Sequence, residues 1–195
     1  MNRGHILWVT QTAMFIALLV SAQIFTGQFG QFVTGSIVNF ILVAACILVG
    51  LPAAAIVGVV SPLIAFLITG RPVFPVLIPF VMVGNVALVT AIHFIAAKSY
   101  LKLTHSSYAR AVVAVIVGAV LKFLVLWVGI VHVAIPFLIP GILLPQVNAL
   151  SLAFSWPQLV TALIGSGVAM AVMPHVSRAI HHTHHTTPNT PHQGQ

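Results

Sequence analysis

The sequence predicts an all-α polytopic membrane protein, six transmembrane helices in a compact bundle. Three observations predict it. Apolar residues make up 60% of the 195-residue chain and charged residues 4%, with a mean hydropathy of +1.16, whereas soluble domains carry about 25% charge. The apolar residues fall into runs close to the roughly 20 that a helix needs to cross about 30 Å of hydrocarbon. Glycine, proline and polar residues collect between those runs.

The runs place spans at about 6–26, 34–50, 52–69, 79–97, 110–132 and 156–177. The first follows Arg3, and Val20-Ser21-Ala22 has the outline of a signal-peptide cleavage site. The stretch from Ile6 to Phe25 is nevertheless long enough to span, and retaining it keeps the later topology consistent. Spans two and three share only Gly50-Leu51-Pro52, which implies a tight helical hairpin or one long re-entrant element. Between spans four and five, KSYLKLTHSSYAR (98–110) is basic and polar, whereas 27–33, 70–78 and 133–155 carry Gly, Pro, Gln and aromatic residues. The two kinds of connection belong on opposite sides. Pro72, Pro75 and Pro79 in one segment and Pro136, Pro140 and Pro145 in another forbid regular helix throughout, which suits either a cap over a cavity or plain loops.

Residues 1–178 form the membrane domain in this reading, and 179–195 a disordered His-rich cytoplasmic tail, since HHTHHTTPNTPHQGQ lacks apolar residues. His181, His182, His184 and His185 offer imidazoles, but no cysteine or carboxylate completes a transition-metal site. The two halves show no inverted symmetry of the kind many self-sufficient carriers have.

All seven formal charges are positive and the chain contains neither Asp nor Glu. The cations lie singly between apolar runs, so a nucleic-acid face is not expected. Placing Arg3, Lys98, Lys102, Arg110 and Arg178 on one side leaves Arg71 opposite, which puts both termini in the cytoplasm. Without carboxylates there is no paired-acid catalysis, no carboxylate proton relay and no hard-cation cage. Cys46, the single cysteine, can form neither an internal disulfide nor a thiolate cluster and reads as a small buried residue. The chain also lacks Gly-x-Ser-x-Gly, a phosphate loop and His-Glu-x-x-His, so the expectation is that it is not an enzyme and draws any energy from elsewhere.

Lys122 interrupts the run GAVLKFLVLW, 118–127, near mid-membrane. It lies too deep to reach water by stretching its stem, so it must face the bundle interior or a wet cavity. Its partner is then a set of carbonyls, an uncharged state, or an anionic ligand. Asn39 and Asn85 in spans two and four, with Gln146 and Asn148 in the last external connection, supply amides for a small polar solute or for helix–helix bonds. Trp127 and Trp156 supply flat surface for a pocket or for the membrane interface. His93 and His132 have no partner at ligand spacing and read as packing residues; a membrane enzyme acting on a lipid or quinone would have to use them. On the first helix Ala13-x-x-x-Ala17-x-x-x-Ser21 sets small residues one turn apart, an internal packing seam or a docking strip.

Six predicted spans in under 200 residues, both ends cytoplasmic, with Ala13-x-x-x-Ala17 on the first helix, resemble the substrate-binding S component of an energy-coupling factor transporter. GSIVNFILVAACILVGLPAAAIVGVVSPLIAFL, 35–67, and PFVMVGN, 79–85, are similar in style to its vitamin-binding members, and the likeness covers roughly 6–178. The resemblance implies a bacterial plasma-membrane protein that captures a water-soluble vitamin at the outer face. A membrane coupling subunit and two cytoplasmic ATPases would supply the energy, ATP being used there and no cofactor in this chain. It further implies that Ala13, Ala17 and Ser21 face the coupling subunit, that spans four to six and the external loops hold substrate, and that the whole S component topples in the membrane. Lys122 with the amides Asn39, Asn85, Gln146 and Asn148 favours pantothenate, which carries a carboxylate, hydroxyls and an amide. Pyridoxine or a hydroxymethyl-pyrimidine stacked on Trp127 or Trp156 is the alternative, and a passive channel or accessory subunit a further one.

Overall fold

Lipid offers the backbone no hydrogen bonds, so each apolar run must close its own as a helix until glycine or proline stops it. The computed structural model describes residues 3–70, 72–96 and 105–184, with side chains for 107–176 in the last stretch, and has six helices long and apolar enough to cross a membrane. The helices are α1 (Arg3–Thr26), α2 (Gln31–Leu48), α3 (Leu51–Thr69), α4 (Ile78–Ala96), α5 (His105–Leu126), α6 (Leu144–Ala153) and α7 (Trp156–His184). Short 3-10 turns occupy Gly27–Phe29 and Pro75–Leu77. No strand occurs among the described residues.

Gly50 turns the chain between α2 and α3 at φ 114°, and its amide donates to the Ala45 carbonyl at 3.1 Å. Only glycine adopts that conformation freely, and Pro52 then starts α3 in its first turn. The 50–52 segment is therefore a tight turn between two helices, each long and apolar enough to span a membrane.

α2 packs along α7 and α4 along α5, α7 also lies against α5, and α3 sits against α1 and α4. Leu42, Val43, Val57, Leu88 and Ala169 are fully buried among them. Small residues permit the closest crossings, as expected where lipid supplies no hydrophobic drive between helices. A methyl group at Gly165 in α7 would strike the Ser36 carbonyl oxygen of α2 and sit 2.8 Å from Asn39 Cβ and from Phe40 N.

Six spans return both ends of the bundle to one face, so 27–30, 72–77 and 139–155 lie on the opposite, distal face. There the structure departs from the expected connection at 133–155. α5 continues unbroken as a π-helix, Trp127–Leu138, through Pro136, and α6 forms with Pro145 in its first turn, where the missing N–H costs nothing. The helix breaks at 139–143, where Gly141 has φ 77°. Leu77, Leu126, Ile130, Ala134, Ile135 and Ile139 bury a second apolar cluster with Phe80, Leu150 and Phe154 at this end of the bundle. At the other end α7 runs to His184, past the expected boundary at residue 178. The side chains of Arg178, His181, His182 and His184, the tail from His185, and Arg71, Lys98 and Lys102 all lie outside the described residues.

Candidate functional site

Pro62 lies inside α3 and has no backbone N–H, so the carbonyl four residues earlier, at Gly58, loses its helical donor. Asn85 of α4 takes that position: its Nδ2 donates to the Gly58 carbonyl at 3.0 Å. Gly58 lets the helices close to this distance, since a Cβ there would stand 3.0 Å from Asn85 Cβ. The amide is thus held from one end and turns its oxygen toward α5.

Lys122 Nζ donates to that oxygen, Asn85 Oδ1, at 2.8 Å, and to Asn39 Oδ1 of α2 at 2.6 Å. The three side chains are 4%, 2% and 1% exposed respectively. The partner of the buried lysine is therefore a set of carbonyl oxygens, as the first of the three sequence-based alternatives had it, supplied by two side-chain amides. Amide oxygens solvate an ammonium through their dipoles but carry no charge, and the chain has no carboxylate to neutralise it. A cation in this setting costs several kcal/mol without an anion, roughly the range spanned by membrane-insertion scales.

Lys122, Asn39 and Asn85 line a cavity of about 490 Å³, within the about 300–1,000 Å³ typical of small-molecule sites. Gln31, Thr34, Thr69, Pro72, Val73, Leu150, Ala153, Phe154 and Gln158 line it from the distal face, with Gln23 of α1 beside them. Asn39, Ser61 and Asn85 sit some eight residues from the distal ends of their helices, about 12 Å at 1.5 Å per residue, so the lysine marks the cavity's inner end. Polar lining comes from α2 and α3 as much as from α4 and α5, a wider set than spans four to six.

Trp127 is outside this lining: it stacks on Phe123 with ring centroids 6.0 Å apart and meets His132 edge-on at 4.5 Å. The five-residue spacing of Trp127 and His132 comes onto one face because the helix there is π-wound. Trp156 is 53% exposed and packs against Phe32. Gln146 and Asn148 are exposed on α6 and do not line the cavity. His93 is half-buried against Phe94, and no group of three or more metal-ligating side chains occurs among the described residues. Cys46 is buried, with Sγ 3.6 Å from the Val89 carbonyl. Ala13, Ala17 and Ser21 are exposed, so the small-residue strip is not an internal seam.

Sequence reasoning passed over Ser61, Thr34, Gln23, Gln31 and Gln158, all in the lining. The signal for Ser61 and for the Asn85 anchor was Pro62 in mid-span, whose freed carbonyl requires a donor. No family model matches this sequence, and no curated protein or solved structure shows significant similarity to it.

Proposed function

We propose that the chain binds a water-soluble vitamin in this cavity and carries it across the membrane as the S component of an energy-coupling factor transporter, driven by partner ATPases. One observation carries the binding part: a cavity of vitamin size ends on a buried, uncompensated lysine held by two amides. Such a cation is expensive as mere structure and useful as a receptor. Pantothenate fits best, because one anionic group meets Lys122 while hydroxyls and an amide remain for the glutamines and Thr34 nearer the mouth. A stacked ring vitamin loses support, since neither Trp127 nor Trp156 lines the cavity and Phe154 is its one aromatic residue among those described. The proposal places the protein in a bacterial plasma membrane, termini in the cytoplasm and cavity open to the outside, with the exposed strip of α1 available to a membrane coupling subunit.

Equilibrium binding of the detergent-purified chain to a panel of vitamins tests the capture step, and co-purification from native membranes tests the partners. Tight binding of one vitamin with recovery of two ATPases is the expected result. Absence of both would favour the passive-subunit reading.

A further inference from the structure

We infer that the inner end of the cavity is a receptor for a monoanionic carboxylate, which the solute presents head-first, and that Ser61 and Asn39 recognise it together with Lys122. The inference rests on the cavity being the binding site and goes beyond it in fixing the orientation and chemical class of what enters.

The donor and acceptor balance of four side chains carries it. Asn85 is committed at both ends, its Nδ2 to the Gly58 carbonyl and its Oδ1 to Lys122. It positions the lysine and has one of its two amide N–H groups already engaged. Asn39 gives its Oδ1 to Lys122, which leaves Nδ2 buried without a hydrogen-bond partner among the described residues. Ser61 Oγ, on the facing helix α3, is likewise buried without one, and the residue is 0% exposed. An ammonium has three N–H groups, of which the amides take two. The inner end therefore offers the remaining lysine N–H, the Asn39 amide N–H groups and the Ser61 hydroxyl.

Those are donors around one unbalanced positive charge. A carboxylate supplies two oxygens with about four lone-pair directions, enough to accept from all three side chains at once, and cancels that charge. A neutral hydroxyl or ring nitrogen satisfies one donor and leaves the charge. A dianionic phosphate would bury a net negative charge, and an ammonium or other cation would meet like charge with few acceptors. The site thus selects acids over their alcohols and rejects cationic solutes.

The test uses the full chain in detergent micelles with ¹⁵N-labelled lysine. Acetate, as the minimal probe, is expected to shift the Lys122 ζ-nitrogen resonance saturably, while acetamide requires at least about tenfold more. Asn39→Asp places a carboxylate against Lys122 within the fold and is expected to abolish the acetate response while keeping the chain folded. Ser61→Ala, which removes an unpartnered hydroxyl, should weaken pantothenate about three- to tenfold and leave pantothenyl alcohol unchanged. Equal binding of acetate and acetamide, no response to acetate, or an undiminished response in Asn39→Asp overturns the carboxylate site. If acetate behaves as expected but no vitamin binds, the site stands and the vitamin reading falls. If pantothenate and its alcohol bind with equal affinity, the capture reading stands and the carboxylate site falls.

Discussion

At the scale of single residues, stability turns on which member of the Lys122–Asn39–Asn85 cluster is removed. Lys122→Met deletes a buried charge that costs several kcal/mol and strands two amide oxygens, at about 1–3 kcal/mol each. The two effects oppose, so the variant should melt within a few degrees of the parent while losing an anionic ligand by about 10- to 100-fold. Asn85→Leu is different: it leaves the charge with one amide and the Gly58 carbonyl with no donor. Removing one partner of a buried charge costs about 3–5 kcal/mol. Asn85→Leu should therefore be far less stable than Lys122→Met, and the double variant more stable than Asn85→Leu alone. Thermal unfolding of the purified proteins checks this; additive losses would mean that the lysine is not charged in the resting protein.

At the scale of helices, one proline and two glycines should respond differently to replacement by alanine. Pro62→Ala restores an N–H that competes with Asn85 for the Gly58 carbonyl, so it should improve α3 as a helix yet loosen Asn85 and weaken ligand about three- to tenfold. Gly165→Ala drives a methyl into the backbone of α2 and should destabilise by about 1–3 kcal/mol, displacing Asn39. Gly167→Ala meets nothing within 4 Å and should gain up to about 1 kcal/mol from helix propensity. Melting temperatures of the three variants beside the ligand affinity of Pro62→Ala provide the check. These same contacts explain what could be read in advance. The six spans were legible because lipid demands a long apolar run for each crossing, and the end of α2 and both ends of α3 then followed from Gly50, Pro52 and Gly70. The cluster itself was legible only as separate polar residues. Asn39 and Asn85 lie 83 and 37 residues from Lys122, and in a membrane both the lipid-facing and the inward faces of a helix are apolar, so periodicity does not reveal rotation about the axis. That is why exposed Trp127 looked equivalent to buried Asn39, while Gln146 and Asn148 fell in a stretch read as a connection that instead forms α6 and leaves them exposed. The π-winding of 127–138 was hidden for a related reason, because a wider turn leaves no mark in a uniformly apolar run.

At the scale of the whole molecule, the surface is apolar all round, with Leu67, Phe94 and Phe137 each more than three-quarters exposed. A surface of that kind is indifferent to the orientation of the bundle in lipid, since no described charged side chain near mid-membrane points outward to resist rotation. Under the proposed function, directionality comes from a partner, and α1 presents the feature suited to one. Leu7, Met14, Leu18 and Phe25 project from it, 54–73% exposed, while Ala13, Ala17 and Ser21 leave a shallow strip beside them. Lipid tails gain nothing from such a strip, whereas a second helix can bring its backbone close there and collect dispersion contacts. Ala13→Trp with Ala17→Trp fills the strip without touching the cavity or the core. In cells expressing the proposed ATPases and coupling subunit, the pair should reduce uptake to background while the purified variant keeps its ligand affinity within about twofold, because α1 contributes only Gln23 among the described lining residues. Leu63→Trp, on the exposed side of α3, adds similar bulk where no strip exists and should leave uptake intact. Loss of uptake in both variants would point to a general effect of surface bulk on movement in the bilayer. Survival of uptake in the alanine variant would remove α1 as the coupling surface and, with it, the main support for a toppling S component over a binding protein that works alone.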